Sequence, residues 1–273
     1  MSVSRSAPLL AVVAASALLA ACQRDPAPSA PAAAAPAAAK PASTPAATDP
    51  AALQRAVETL MAQQYGDAFD AKQRCWKFHA KVEGGVDDDY CMRAGAPQLV
   101  DLQGQPRLYV AAHNLADAQG YVYGHVSSGL MGAFVLGPDG RGGWTLLAGD
   151  KQIPAGSSGY CSCDDAQLVR IGADTMAWKF ASGGTGQGIT VSRYHLIAPI
   201  GDKVRDLSAL PQIAEDEQDS EYSFAIDDSD TGKPFFPLRV TKRTQQPDGK
   251  SAQTEQVVEF DPVRQVYALP GAK

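Results

Sequence analysis

Apolar residues Leu53, Val57, Leu60, Met61, Tyr65 and Phe69 recur at three- and four-residue intervals. That spacing places them on one face of a helix, and a single apolar face predicts packing against a sheet. Thr48-Asp49-Pro50 supplies the start, a capping side chain and then a proline in the first turn. Gly66 weakens or ends the helix. Beyond Arg74 the period changes to two. Trp76, Phe78, Ala80 and Val82 alternate with Lys77, His79 and Lys81, as a half-buried strand requires.

The same reading continues to the carboxyl end. "RLYVAA" from Arg107 predicts a more buried strand, and Gly132–Leu136 and Trp144–Ala148 predict two more, joined at Pro138-Asp139-Gly140. "AQLVRIG", "MAWKFAS" and "ITVSRYHLIAPI" follow at strand-like intervals, and a closing meander turns at Pro247-Asp248-Gly249 and Asp261-Pro262. The expected class is mainly β: an antiparallel sandwich or barrel-like domain behind an amino-terminal amphipathic helix. The 25 Gly and 19 Pro fit a turn-rich chain, and no internal repeat is visible.

The first residues change the picture of where this domain works. Arg5 and a short apolar run ending in Leu19-Ala20-Ala21-Cys22 have the length of a signal peptide rather than of a membrane span. This end resembles the lipobox of bacterial lipoproteins. The resemblance implies cleavage after residue 21, acylation of the Cys22 thiol and, with Gln at position 23, sorting to the outer membrane. Several acyl chains suffice for stable anchoring. Residues 22–50 follow as a tether. Gln23 to Pro50 holds 12 Ala and 7 Pro in 28 residues, too much proline for a helix and nothing large to bury. At ~3.1 Å per residue, it reaches roughly 85 Å when extended. Residues 51–273 remain, enough for one large or two small domains.

Without Arg5, Arg24, Lys40, Asp25 and Asp49, the body keeps 21 basic and 28 acidic side chains, a formal −7. It shows no basic patch, so nucleic acid is excluded as a partner. With Cys22 acylated, Cys75, Cys91, Cys161 and Cys163 are left in an oxidising compartment, where an even number predicts disulfides. If "VEGGVDDD" is a hairpin turn, Cys75 and Cys91 stand symmetrically about residue 83 and can bridge across it. Cys161 and Cys163 then close a tight ring of their own. The alternative pairings tie the hairpin to the 161–163 loop by two adjacent bridges. Neither metal nor redox chemistry is expected of the Cys-Ser-Cys element. His79, His113, His125 and His195 lie at no metal spacing from it, and it reads as a loop rather than a helix start.

Two further segments raise chemistry. Eight carboxylates lie between Glu215 and Asp230 with no basic residue among them, and Asp227, Ser229 and Thr231 match the start of a calcium loop before Gly232. The closing position is Leu238 instead of glutamate, so a solvated acidic loop before a hairpin is the expected structure. Ser127, Ser128, Ser157 and Ser158 lie among glycines near His125, without the G-x-S-x-G elbow of a hydrolase. "ASGGTGQG" lacks a phosphate-loop ending and predicts a wide hairpin loop or a close backbone approach. Trp76, Trp144 and Trp178 fall inside strand patterns and predict core packing.

"LYVAAHNL", "GHVSSGLMGAFVLGPDG", "GSSGYC" and "QGITVSRYHLIAPIGDKV" resemble uncharacterised exported proteins and lipoproteins of proteobacteria, and that resemblance implies no residue roles. The functional expectation is a lipid-anchored periplasmic binding protein without catalytic activity or cofactor. Its partner is a protein or cell-wall polymer, and an inhibitor or immunity-type protein is one version. The alternative is a peptidoglycan-directed hydrolase.

Overall fold

The alternation read from the sequence resolves into two antiparallel sheets. In the computed structural model, residues 49–82, 86–214, 220–246 and 249–271 are described. The chain divides into two units, Met1–Ala42 and Ser43–Lys273, and all described residues belong to the second. The signal peptide, Cys22 and nearly all of the tether lie outside the described residues. Among the described residues no helix is long and apolar enough to cross a membrane.

One helix, α1 (Pro50–Tyr65), begins where Asp49 caps it. The Asp49 carboxylate accepts from the N–H groups of Ala51 at 3.4 Å and Ala52 at 3.2 Å. Asp49→Ala removes that acceptor and should cost about 1 kcal/mol. A urea melt should show a lower midpoint with unchanged slope. The helix stops at Tyr65 with Gly66 as its carboxyl-terminal cap, as the glycine predicted, so the apolar stripe outruns it by Phe69. Phe69 belongs instead to a two-residue strand, β1 (Phe69–Asp70).

The first sheet continues with β2 (Cys75–Val82), β3 (Val86–Ala94), β4 (Gln98–Leu102), β5 (Gln105–Asn114), β6 (Gly129–Pro138) and β7 (Trp144–Ala155). Its order is β1-β2-β3-β5-β6-β7, with β4 also paired to β5. The second holds β8 (Gln167–Arg170), β9 (Met176–Gly186), β10 (Ile189–Ile200), β11 (Lys203–Asp206), β12 (Pro211–Ala214), β13 (Ser220–Ile226), β14 (Leu238–Gln245) and β15 (Ser251–Val258). Its order is β15-β14-β13-β12-β10-β9-β8, with β11 also on β10. Neither sheet closes on itself, so the fold is sandwich-like and not a barrel.

Side-chain parity explains the layers. On β5 and β6, Leu108, Val110, Phe134 and Leu136 face α1 and pack with Val57, Leu60, Met61 and Tyr65. Their neighbours Tyr109, Met131, Ala133 and Val135 face the other way. They meet Trp178, Phe180 and Ile197 of the second sheet, with Tyr109 edge-on to Trp178 at 5.5 Å. The far face of the second sheet, Ala177, Leu196, Ala198, Leu238 and Val240, packs with Tyr267, Phe235 and Phe260. Burial on both sides is why β6 reads as an unbroken apolar run.

Two loop expectations change. "ASGGTGQG" is not a wide loop: β9 runs to Gly186 and turns in two residues, Gln187 and Gly188, both at positive φ. A Cβ at Gly183 would overlap Val191 and Ser192 on the paired strand, so the backbones do approach closely there. The acidic run is not all loop. Ser220–Ile226 forms β13, because pairing with β14 sets Glu221 opposite Arg243. Glu215, Asp216, Glu217 and Asp219 lie outside the described residues, as does the turn pair Pro247-Asp248. β15 is the outer strand of its sheet, and six of its eight residues are exposed.

Candidate functional site

The four cysteines form two disulfides, Cys75–Cys91 and Cys161–Cys163, so the early hairpin and the later loop are not tied together. The first bridge is diagonal. The register sets Lys77 opposite Cys91 and centres the hairpin on residue 84 rather than 83. Cys75 and Cys91 still share a face, with Cα atoms 5.3 Å apart, and both are fully buried. Cys161 and Cys163 lie in the segment that carries the chain from β7 to β8, from one sheet to the other, and are buried in the core between the sheets.

Beside that crossing the structure brings together part of the serine and histidine set. Ser158 Oγ lies 3.2 Å from His125 Nδ1, and His125 Nε2 lies 3.1 Å from the Thr185 carbonyl. A carbonyl only accepts, so Nε2 carries a proton, and the Ser158 hydroxyl has two acceptors in reach, His125 Nδ1 and, at 3.3 Å, the His125 carbonyl. The contact with Nδ1 has the direction of a nucleophile–base pair, with a carbonyl as orienting group. Ser157 instead bonds the Gly183 carbonyl through Oγ. Ser127 and Ser128 enter this network only through carbonyls, which accept from the Gly159 N–H and the Tyr90 hydroxyl. The N–H groups of Ser157, Ser158, Gly159 and Tyr160 all have backbone acceptors, so none of these four can stabilise an oxyanion without rearrangement. Val122 and Val126, on the same loop as His125, are about nine-tenths exposed.

A second relay was invisible in the sequence. Ser182 Oγ sits 2.6 Å from His195 Nε2, and His195 Nδ1 sits 2.8 Å from Asp206 Oδ2. The order is that of a serine-hydrolase triad. Access decides against that role: Ser182 and His195 are buried, and Ser182 Oγ also accepts from the Gly156 N–H. Asp206 additionally takes Arg193 and the N–H groups of Leu196 and Ser208. Burial alone would raise the Asp206 pKa. The hydrogen bond and charge of His195, with Arg193 beside it, outweigh that and hold the carboxyl below its ordinary range. The relay joins β9, β10 and the end of β11.

Asp227 is engaged by a cation of the protein itself. Its Oδ2 accepts from Arg239 Nε and Nη2 at 3.1 and 2.8 Å, while Oδ1 accepts from the Ser229 N–H. Asp230 accepts from the Gly232 N–H. Among the described residues, no three His, Cys, Asp or Glu side chains converge as a metal site.

A further recess lies elsewhere, between α1 and the start of the first sheet. It is a cleft of about 690 Å³ bordered by Gln54, Glu58, Phe69, Arg74, Trp76 and Arg93. Phe69 and Trp76 are cross-strand partners whose rings stand 4.6 Å apart, and Phe69 is 47% exposed. Trp76 thus packs on the core, as its strand pattern predicted, and also forms part of the cleft wall. Arg93 donates through Nη2 to the Gln73 carbonyl at 2.6 Å and through Nε to that of Arg74 at 3.4 Å, which fixes its guanidinium beside Arg74. Among the described residues, neither arginine is paired with a carboxylate. Glu58 is the one acid of the lining, and it accepts from Gln54 at 3.0 Å. Ala94, Gly95 and Ala96 leave the space open.

No family model matches the chain, and no curated protein matches it. Among solved structures, one named "Glycoside hydrolase" aligns over 78% of this chain at 13% identity with a TM-score of 0.27. Another, named as a complex of BT0996 and RGII, aligns over 79% at 13% identity with a TM-score of 0.26. The alignment spans 65% of each of those longer proteins. Likeness at this level carries no argument about activity.

Proposed function

We propose that this chain is a lipid-tethered protein of the cell envelope that recognises a cell-wall polymer without transforming it. The observation that carries this reading is the cleft under α1. An aromatic pair with Phe69 half exposed, two arginines without carboxylate partners among the described residues and a Gln–Glu pair are groups that hold a ligand. Most glycoside cleavage uses two carboxylates flanking the bond, and the described lining holds Glu58 alone. In this reading Cys22 carries the lipid, residues 22–50 give reach, and the body faces the periplasm from the outer membrane.

The full chain, expressed in a Gram-negative host, should fractionate with the outer membrane and incorporate labelled palmitate, whereas Cys22→Ala should release it to the soluble fraction. It should also co-sediment with purified peptidoglycan sacculi. A chain that stays in the supernatant when sacculi sediment removes the cell-wall reading and leaves a protein partner, including the inhibitor type.

The Ser158–His125 contact supports one second reading, a peptidoglycan-directed hydrolase. It requires that the full chain release soluble fragments from sacculi and that Ser158→Ala abolish the release. Inert sacculi would end it.

A further inference from the structure

The recognition reading leaves the ligand's chemistry open, and the cleft narrows it. Phe69 stays half exposed although it is a flat apolar ring, tilted 55° against Trp76. Such a platform suits a ligand with a C–H face of its own, and pyranose rings have one. The volume lies within the range of roughly 300–1,000 Å³ that takes a small organic ligand.

Charge supplies the second constraint. The body is acidic overall, yet in this recess Arg74 and Arg93 face Glu58, whose carboxylate already holds the Gln54 amide. Arg93 is pre-oriented by two carbonyls, and Arg74 sits beside it at a left-handed turn position, φ 56°, immediately before the disulfide-bonded Cys75. A guanidinium held in place by two carbonyls, with a second arginine on the same lining, matches a carboxylate, which accepts two parallel N–H bonds. Resting on the recognition reading, we infer that the cleft binds a carboxylate-bearing sugar. Phe69 and Trp76 take the ring face, Arg74 and Arg93 take the carboxylate, and Gln54 and Glu58 meet hydroxyl groups.

The test compares sugars that differ in the carboxylate, titrated into the full chain by calorimetry and tryptophan fluorescence. N-acetylmuramate is set against N-acetylglucosamine, and glucuronate against glucose. The carboxylated member of each pair should bind at least about tenfold tighter, the strength of a charge-assisted pair. That gap should narrow with added salt. Arg74→Gln should close the gap while leaving the neutral sugar unaffected, and Phe69→Ala should weaken both members. Both positions are exposed, and unchanged thermal melting verifies folding. Equal affinity for charged and neutral sugars overturns the assignment, as does a preference for glucose 6-phosphate over glucuronate. Sacculi retained by a chain that binds none of these sugars overturn the inference alone. If neither sacculi nor sugars bind, the recognition reading falls with it.

Discussion

Asp206→Ala should destabilise the folded domain by about 3–5 kcal/mol at neutral pH, the cost of deleting one partner from a buried charged network. The single carboxylate satisfies His195, Arg193 and two backbone N–H groups at once. Its removal leaves His195, 2% exposed, with no acceptor for its Nδ1 proton. The pH dependence identifies the mechanism. The folded pKa of Asp206 lies below its unfolded value of about 3.9. Its stabilisation is therefore fully present above the unfolded pKa and is lost as pH falls through the folded one. Urea midpoints of wild type and variant should thus lie far apart at pH 7 and converge in strong acid. A gap that stays constant across that range would show that Asp206 acts through shape and not through charge.

The two disulfides should differ in worth although all four cysteines are buried. Cys75 and Cys91 are separated by 16 positions and Cys161 and Cys163 by 2. Closing the longer loop in the unfolded chain removes more entropy, about 3 kcal/mol against about 1.5 kcal/mol for the shorter. Replacing each pair with alanines creates similar buried gaps, so the difference between the double variants isolates the loop term. Chemical unfolding of Cys75→Ala/Cys91→Ala and Cys161→Ala/Cys163→Ala measures it. Equal losses would mean that the Cys161–Cys163 ring stabilises the folded crossing between the sheets and not merely the chain statistics.

What could be read from the residues alone follows physical range. α1 was legible because Asp49, Pro50 and the apolar stripe are local signals, and β2 was legible because its alternation is unbroken. β3 was legible only as the partner of that hairpin. "VDDDYCMRA" holds three aspartates, which disfavour strands, and only pairing with His79 and Lys81 accommodates Asp87 and Asp89 there. β13 was hidden in the acidic run for the same reason. Pairing of Cys75 with Cys91 was one of several open options, since four cysteines do not encode connectivity.

The candidate sites were less legible than the fold. Ser158 and His125 are 33 positions apart and meet where two loops cross. Ser182, His195 and Asp206 converge because β9, β10 and β11 lie side by side, which no spacing in the sequence announces. The cleft draws on α1, β1, the turn at Arg74, β2 and β3. Phe69 looked like the last residue of a helical stripe, and its place at the mouth of a recess appears only once the helix ends at Tyr65.

The outer strand β15 has a consequence for handling. Its eight residues contain no proline, lysine or arginine, their pairing with β14 shows no bulge, and among the described residues its other edge has no partner strand and carries Glu255 as its single charge. Proteins usually guard such an edge with the very features missing here. Concentrated stocks should therefore lose monomer by edge-to-edge growth before the sandwich itself unfolds, and a lysine at the outward position of Val257 is the simplest way to lengthen storage life.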